Sequence, residues 1–122
     1  QAERASVLIA DHDRTVRQAL RLLCEEGLNL FVAAEAADGA GLCASLRGDP
    51  VAVAVVEWEL PGLDPQALFA AQSARVIALS ADPNMRDAAL KAGAYGFVYK
   101  GDPPTVLVHL LRAAIDAERS DQ

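Results

Sequence analysis

Five short apolar, β-rich runs, at residues 7–10, 30–33, 51–56, 76–79 and 97–99, alternate with amphipathic helical patterns along the whole chain. This alternation constrains the fold more than any other feature. Strand, helix and strand in repeated succession require right-handed crossovers, so the strands lie mainly parallel with helices on both faces of one sheet. The run VAVAVV at 51–56 is apolar throughout, as a central strand covered on both faces must be. Helix starts are marked as clearly. Asp13 can cap a helix whose stripe is Val16, Leu20 and Leu23, with Gly27 as its stop. Asp38 opens another, carrying Leu42 and Leu46 and ending near Gly48, although Gly39 and Gly41 are poor helix formers. Asp64-Pro65, Asp82-Pro83 and Asp102-Pro103 repeat one signal, an N-cap acceptor followed by a proline whose missing N–H costs nothing in a first turn.

A chain of 122 residues has room for one domain, 1–122, and for no second. Its apolar runs are too short to cross a bilayer and no basic leader precedes an apolar core, which predicts a cytosolic protein. The net charge of −6 offers no basic face for direct nucleic-acid contact. Cys24 and Cys43 lie in apolar helical faces without metal or disulfide spacing and read as core residues. His109, on the last helix, reads as surface. The sequence opens on Gln1 and closes soon after its last helical pattern, which predicts a piece cut from a longer protein.

In a parallel sheet of this kind ligands bind beyond the carboxyl ends of the strands. Asp11 and His12 follow the first strand, Glu57 ends the third, Ser80 the fourth and Lys100 the fifth, so one rule gathers all five into one crevice. Asp11 and Glu57 are oxygen ligands suited to a hard cation such as Mg²⁺. Ser80 and Lys100 suit phosphoryl oxygens, and a carboxylate can act as nucleophile toward phosphorus. Together they read as a phosphoryl site.

Through VLIADHD, VVEWELPGLD, ALSAD and AGAYGFVYKGDPP the chain resembles the receiver domains of two-component response regulators over nearly its whole length. The resemblance implies a doubly wound, flavodoxin-like three-layer sandwich with strand order 2-1-3-4-5, and a module that signals through proteins rather than catalysing a reaction of its own. It assigns Asp11 to the first metal-binding acid, Glu57 to the position of the phosphoacceptor Asp, Ser80 to the switch hydroxyl, Phe97 to the switch aromatic and Lys100 to the family lysine. Glu59 stands where a main-chain carbonyl would bind the metal. It further implies a partner or second copy docking on the face formed by the fourth helix, fifth strand and fifth helix, and KGDPP is similar to receivers fused to helix-turn-helix output domains.

The chain departs from that pattern in three places. His12 replaces the second acid, removing a charge and offering an imidazole that Mg²⁺ does not favour, which predicts a weak or lost Mg²⁺ site at Asp11, His12 and Glu59. Glu57 adds one methylene, pushing its carboxylate about 1.5 Å further into the crevice, within reach of Lys100. The stretch from Glu57 to Ser80 is short, which predicts a trimmed third helix or a tightened loop. Glu57 then reads either as a permanent negative charge near Lys100 and Ser80, with Ser80 donating to the same carboxylate, or as the relic of a site that no longer switches. Trp58 reads as a shield at the site's edge or a stacking surface for a ligand, and Tyr95, Phe97 and Tyr99 alternate onto one face as core or interface. A rival class remains: the D-x-D-x-T at Asp11 to Thr15 resembles the first motif of haloacid-dehalogenase-type phosphohydrolases, with Asp11 as nucleophile and Asp13 as acid/base. A receiver-like pocket that binds a small molecule is a third reading.

Overall fold

The computed structural model describes residues 4–48 and 50–120, so both ends of the expected 1–122 domain lie outside the described residues. Five parallel strands form one sheet: β1 (Ser6–Ala10), β2 (Phe31–Ala36), β3 (Val53–Glu57), β4 (Arg75–Ser80) and β5 (Gly96–Tyr99), in the order β2-β1-β3-β4-β5. Helices α1 (Arg14–Leu22), α2 (Gly39–Gly48), α3 (Pro65–Ala71), α4 (Arg86–Ala92) and α5 (Pro104–Ser120) alternate with them. The expected doubly wound, flavodoxin-like sandwich is the architecture found.

Each face of the sheet carries its own core. Val7, Ile9, Val53 and Val55 meet Leu20, Leu107 and Leu111 on the α1/α5 side, while Leu8, Ala54 and Val56 meet Leu42, Leu46 and Leu68 on the α2/α3 side. All five residues of β3 are buried, as a central strand demands. Truncating a fully buried residue such as Leu111 to Ala costs about 2–5 kcal/mol in packing of this kind.

Several boundaries differ from those the residues alone suggest. Strand β2 begins at Phe31 and runs to Ala36, because the ladder to β1 continues past the apolar run, with a register shift between Val7 and Leu8. Its alternating exposure fits an edge strand. Strand β3 begins at Val53 rather than 51, although Val51 is still buried. Asp13 caps α1 as expected, its carboxylate accepting from Thr15 N–H at 2.8 Å, but the helix widens into a π turn at Leu23–Gly27 before it ends. Asp82 caps a 3₁₀ turn, Pro83–Met85, that leads into α4. Asp102 does not cap α5: its carboxylate turns back to accept Tyr99 N–H at 3.2 Å, closing the turn after β5, and the helix starts at Pro104.

The glycines at the start of α2 have a packing reason. A Cβ on Gly39 would lie 2.2 Å from the Gly62 carbonyl oxygen, so the helix and the turn after β3 approach at a distance only glycine permits. Helix α3 spans 7 residues, barely two turns. Cys24 is a buried core residue whose thiol burial pushes up to about 11, and Cys43 is half-buried. His109 is exposed on α5. Among the described residues no helix is long and apolar enough to cross a membrane.

Candidate functional site

The carboxyl ends of β1, β3, β4 and β5 bring Asp11, His12, Glu57, Ser80 and Lys100 to one edge of the sheet. Asp11 and Glu57 are almost completely buried, at 0% and 2% exposure. Asp11 is fixed from three sides. Its N–H donates to the Ala36 carbonyl at 3.0 Å, its Oδ1 accepts Asp13 N–H at 2.9 Å, and its carbonyl accepts from the Arg17 guanidinium at 2.8 Å. Arg17 and Arg21 also grip Glu35 on β2, so one polar stripe of α1 braces the acid.

The Lys100 ammonium lies between the two buried acids. Nζ donates to Glu57 Oε2 at 2.8 Å and stands 2.9 Å from Asp11 Oδ2, an ion pair outside hydrogen-bond geometry that leaves Oδ2 without a hydrogen bond. The other Glu57 oxygen belongs to His12: Oε1 accepts the His12 main-chain N–H at 3.0 Å and lies 2.6 Å from its Nδ1. Glu57 is therefore held by Lys100 on one oxygen and by His12 on the other. The added methylene carries its carboxylate into direct contact with Lys100.

These contacts move the titrations. Hydrogen bonding to Glu57, with the attraction of that charge, raises the His12 imidazole above its ordinary 6.5. Burial pushes Glu57 upward, but the hydrogen bonds from Lys100 and His12 outweigh it and hold the carboxyl below its usual range. Burial likewise pushes Lys100 down, and its close contacts with the Asp11 and Glu57 carboxylates reverse the direction. The Asp11 and Glu57 carboxylates thus balance against the Lys100 ammonium and the His12 imidazole, whose protonation the contact with Glu57 favours.

That balance decides the fit to Mg²⁺. Atoms of Asp11, His12 and Glu57 lie within 4.8 Å of one another, a grouping that could hold a metal ion. One of the three is nitrogen, which Mg²⁺ does not favour, and Lys100 already shares the oxygens of both acids. These residues do not fit Mg²⁺. The carboxylate of Glu59 is outside the group.

Ser80 corrects a second expectation. It is fully buried, but its hydroxyl does not reach Glu57: it donates to Glu59 Oε2 at 2.5 Å and accepts Asp82 N–H at 2.9 Å. The neighbouring Ala81 N–H donates to Glu59 Oε1 at 3.3 Å. Glu59 follows β3 by two residues, and the turn after that strand aims it across the end of β4. Nothing in its spacing signals this, since it depends on how the turn folds back.

Phe97 is 7% exposed and packs with Ala78, Ala89 and Ala94. Trp58 joins the same cluster, so it covers the α4 side of the sheet rather than offering a stacking face to a ligand. Tyr95 and Tyr99 are exposed, and the Arg75 guanidinium lies 5.9 Å from the Tyr95 ring centre. The alternating aromatics thus divide into one core residue and two on the surface. Asp13, the acid/base of the phosphohydrolase reading, is committed to capping α1.

The sequence model of the response regulator receiver domain matches residues 7–112. A probable transcriptional regulatory protein, SgaR of Hyphomicrobium methylovorum, is 29% identical over 114 residues, covering 88% of this chain and 54% of that protein. The chain therefore spans about half the length of that curated relative. Among solved structures, the receiver domain of the response regulator NarL from Mycobacterium tuberculosis superposes with a TM-score of 0.80 at 26% identity, covering 97% of this chain and 98% of that one. A LuxR-family response regulator from Aurantimonas sp. SI85-9A1 gives 0.84 at 26% identity, covering 94% and 87%.

Proposed function

The chain belongs to the response regulator receiver domain family, and on that premise we propose that residues 1–122 form a single receiver domain whose signalling state is set by Glu57 instead of by phosphorylation. One observation carries this reading. Lys100 Nζ is 2.8 Å from Glu57 Oε2 and 2.9 Å from Asp11 Oδ2, so two of the chain's own carboxylates engage the lysine. A carboxylate held permanently on the lysine supplies the charge that a transient acyl phosphate supplies elsewhere. Lys100 directly follows β5 and its N–H donates to the Ser80 carbonyl at 2.7 Å, so fixing Nζ also fixes the end of β5 and the turn into α5.

The readout in this proposal is protein contact through α4, β5 and α5, where Tyr95 and Tyr99 are exposed. The partner is a second copy or another protein, and nucleic acid is touched only by a fused output domain outside this sequence. Mg²⁺ binds weakly at most, the domain performs no catalysis of its own, and it works in the cytoplasm. Asp11, His12 and Glu59 then serve as structural partners of Glu57, Lys100 and Ser80, with Phe97 packed inward behind them. The phosphohydrolase reading has no observation in its favour.

Sedimentation and partner binding with and without acetyl phosphate and Mg²⁺ test the proposal. The expected result is one state, unchanged by treatment. A shift in self-association or affinity that tracks a stable phosphoryl group on the chain overturns it.

A further inference from the structure

The pairing of Lys100 with Asp11 and Glu57 leaves one carboxylate at the crevice unexplained. Glu59 sits in an exposed turn, where a solvated side chain has little to gain from one contact. It makes two, and both converge on the end of β4: the hydroxyl of fully buried Ser80 at 2.5 Å and the Ala81 N–H at 3.3 Å. A hydroxyl and an adjacent backbone N–H aimed at the same carboxylate form a seat for an oxyanion, and such donors bind charged acceptors most strongly. Lys100 stands beside that seat, joined to Ser80 through its own N–H.

We propose that Glu59 occupies this oxyanion seat from within the chain, positioning Ser80 and keeping small phosphate-type anions out of the crevice. The Ser80 hydroxyl, the Ala81 N–H and the Lys100 ammonium are then each engaged by the protein's own carboxylates. Asp11 and Glu57 hold Lys100, and Glu59 holds Ser80 and Ala81. The assignment rests on reading the crevice as a phosphoryl-type site, and it divides between two glutamates the contacts that a single bound anion would make. A tethered carboxylate competes at an effective concentration of about millimolar or more, so a free anion must displace it and also meet its charge. Removing the side chain frees two donors and deletes one negative charge, and both changes favour phosphate.

Titration with inorganic phosphate followed by ³¹P NMR, on the wild-type chain, Glu59→Ala, Glu59→Gln and Glu59→Ala with Ser80→Ala, tests the assignment. Glu59→Ala is expected to bind phosphate at least tenfold more tightly than wild type. Glu59→Gln is expected to gain at least threefold, because its amide oxygen keeps an acceptor but loses the charge. Adding Ser80→Ala is expected to abolish the gain. Equal affinities in wild type and Glu59→Ala overturn the proposal, and so does a gain that survives Ser80→Ala. Thermal melts accompany each titration, and if Glu59→Ala does not fold the threefold gain in Glu59→Gln decides. The Glu57 reading is judged separately, by self-association in phosphate-free buffer, so either idea can fail alone.

Discussion

Replacing Lys100 with Met removes the ammonium that lies within 3 Å of both buried acids, and the cost can be worked from the geometry. Each contact, at 2.8 and 2.9 Å, is worth about 6 kcal/mol of Coulomb energy at an effective dielectric of 20 before desolvation is subtracted. The net quantity is smaller. Deleting one partner of a buried pair strands an uncompensated charge and costs about 3–5 kcal/mol. Met fills a similar volume, so the loss is electrostatic rather than a cavity. For a chain of 122 residues, about 4 °C of melting temperature corresponds to each kcal/mol, which puts the expected drop at roughly 12–20 °C at pH 7.5. The penalty also has a direction with pH. Glu57 is held below its ordinary range in the folded state, so its pairing stabilises above about pH 4.5 and is lost as pH falls through the lowered value. Lys100→Met should therefore differ most from wild type near neutrality and converge toward it as Glu57 protonates. Glu57→Gln in the same background should recover about 1–3 kcal/mol, since neutralising the stranded acid relieves what the first change exposed. Urea and thermal melts of the four members of this cycle measure it. A cost below about 1 kcal/mol, as for an exposed pair, would falsify the reasoning, as would effects that add within about 0.5 kcal/mol.

Three further outcomes follow from the same geometry. NMR titration of the imidazole should place His12 above 6.5, returning toward 6.5 in Glu57→Gln; the stability it lends is fully present below pH 6.5 and fades as pH rises through the raised value, and an unshifted His12 would deny the Nδ1 contact. Intact mass after incubation with acetyl phosphate and Mg²⁺ should show no lasting phosphoryl group on wild type, whereas His12→Asp with Glu57→Asp should regain both Mg²⁺ binding and labelling; a double variant that does neither means the pocket differs by more than two side chains. Gly39→Ala should cost at least about 1–3 kcal/mol in a urea melt, because its Cβ would meet the Gly62 carbonyl oxygen at 2.2 Å, and an unchanged midpoint would show that the turn yields freely.

The parts of the molecule that periodicity governs were legible without coordinates. Alternating strands and helices led to the parallel sheet, and the rule placing ligands beyond strand ends brought Asp11, Glu57, Ser80 and Lys100 to one edge, where they lie. What failed depended on where short side chains turn. Ser80 goes to Glu59 instead of Glu57 because the turn after β3 folds back across β4, a feature no spacing encodes. His12 reads from its type as an imidazole that Mg²⁺ does not favour, and its ring is 57% exposed. Its backbone and ring nevertheless converge on one Glu57 oxygen. Asp102 before Pro103 carries the same signal as Asp64 before Pro65, yet the tight turn after β5 captures its carboxylate for Tyr99. Gly39 weakened the reading of α2 because propensity counts against glycine, whereas the close approach of Gly62 requires it.

Self-association of the wild-type chain and Glu57→Gln, measured by sedimentation velocity in buffer free of phosphate and divalent metal, tests most directly whether Glu57 sets the signalling state. Glutamine keeps the length and the hydrogen-bonding oxygen but removes the charge on Lys100, so the fold survives while the β5–α5 end loosens. The account predicts that the dissociation constant for self-association, or for a protein partner, changes at least fivefold in Glu57→Gln. An unchanged constant, with Lys100 demonstrably released, would make Glu57 a relic and place the signalling of this domain outside the crevice.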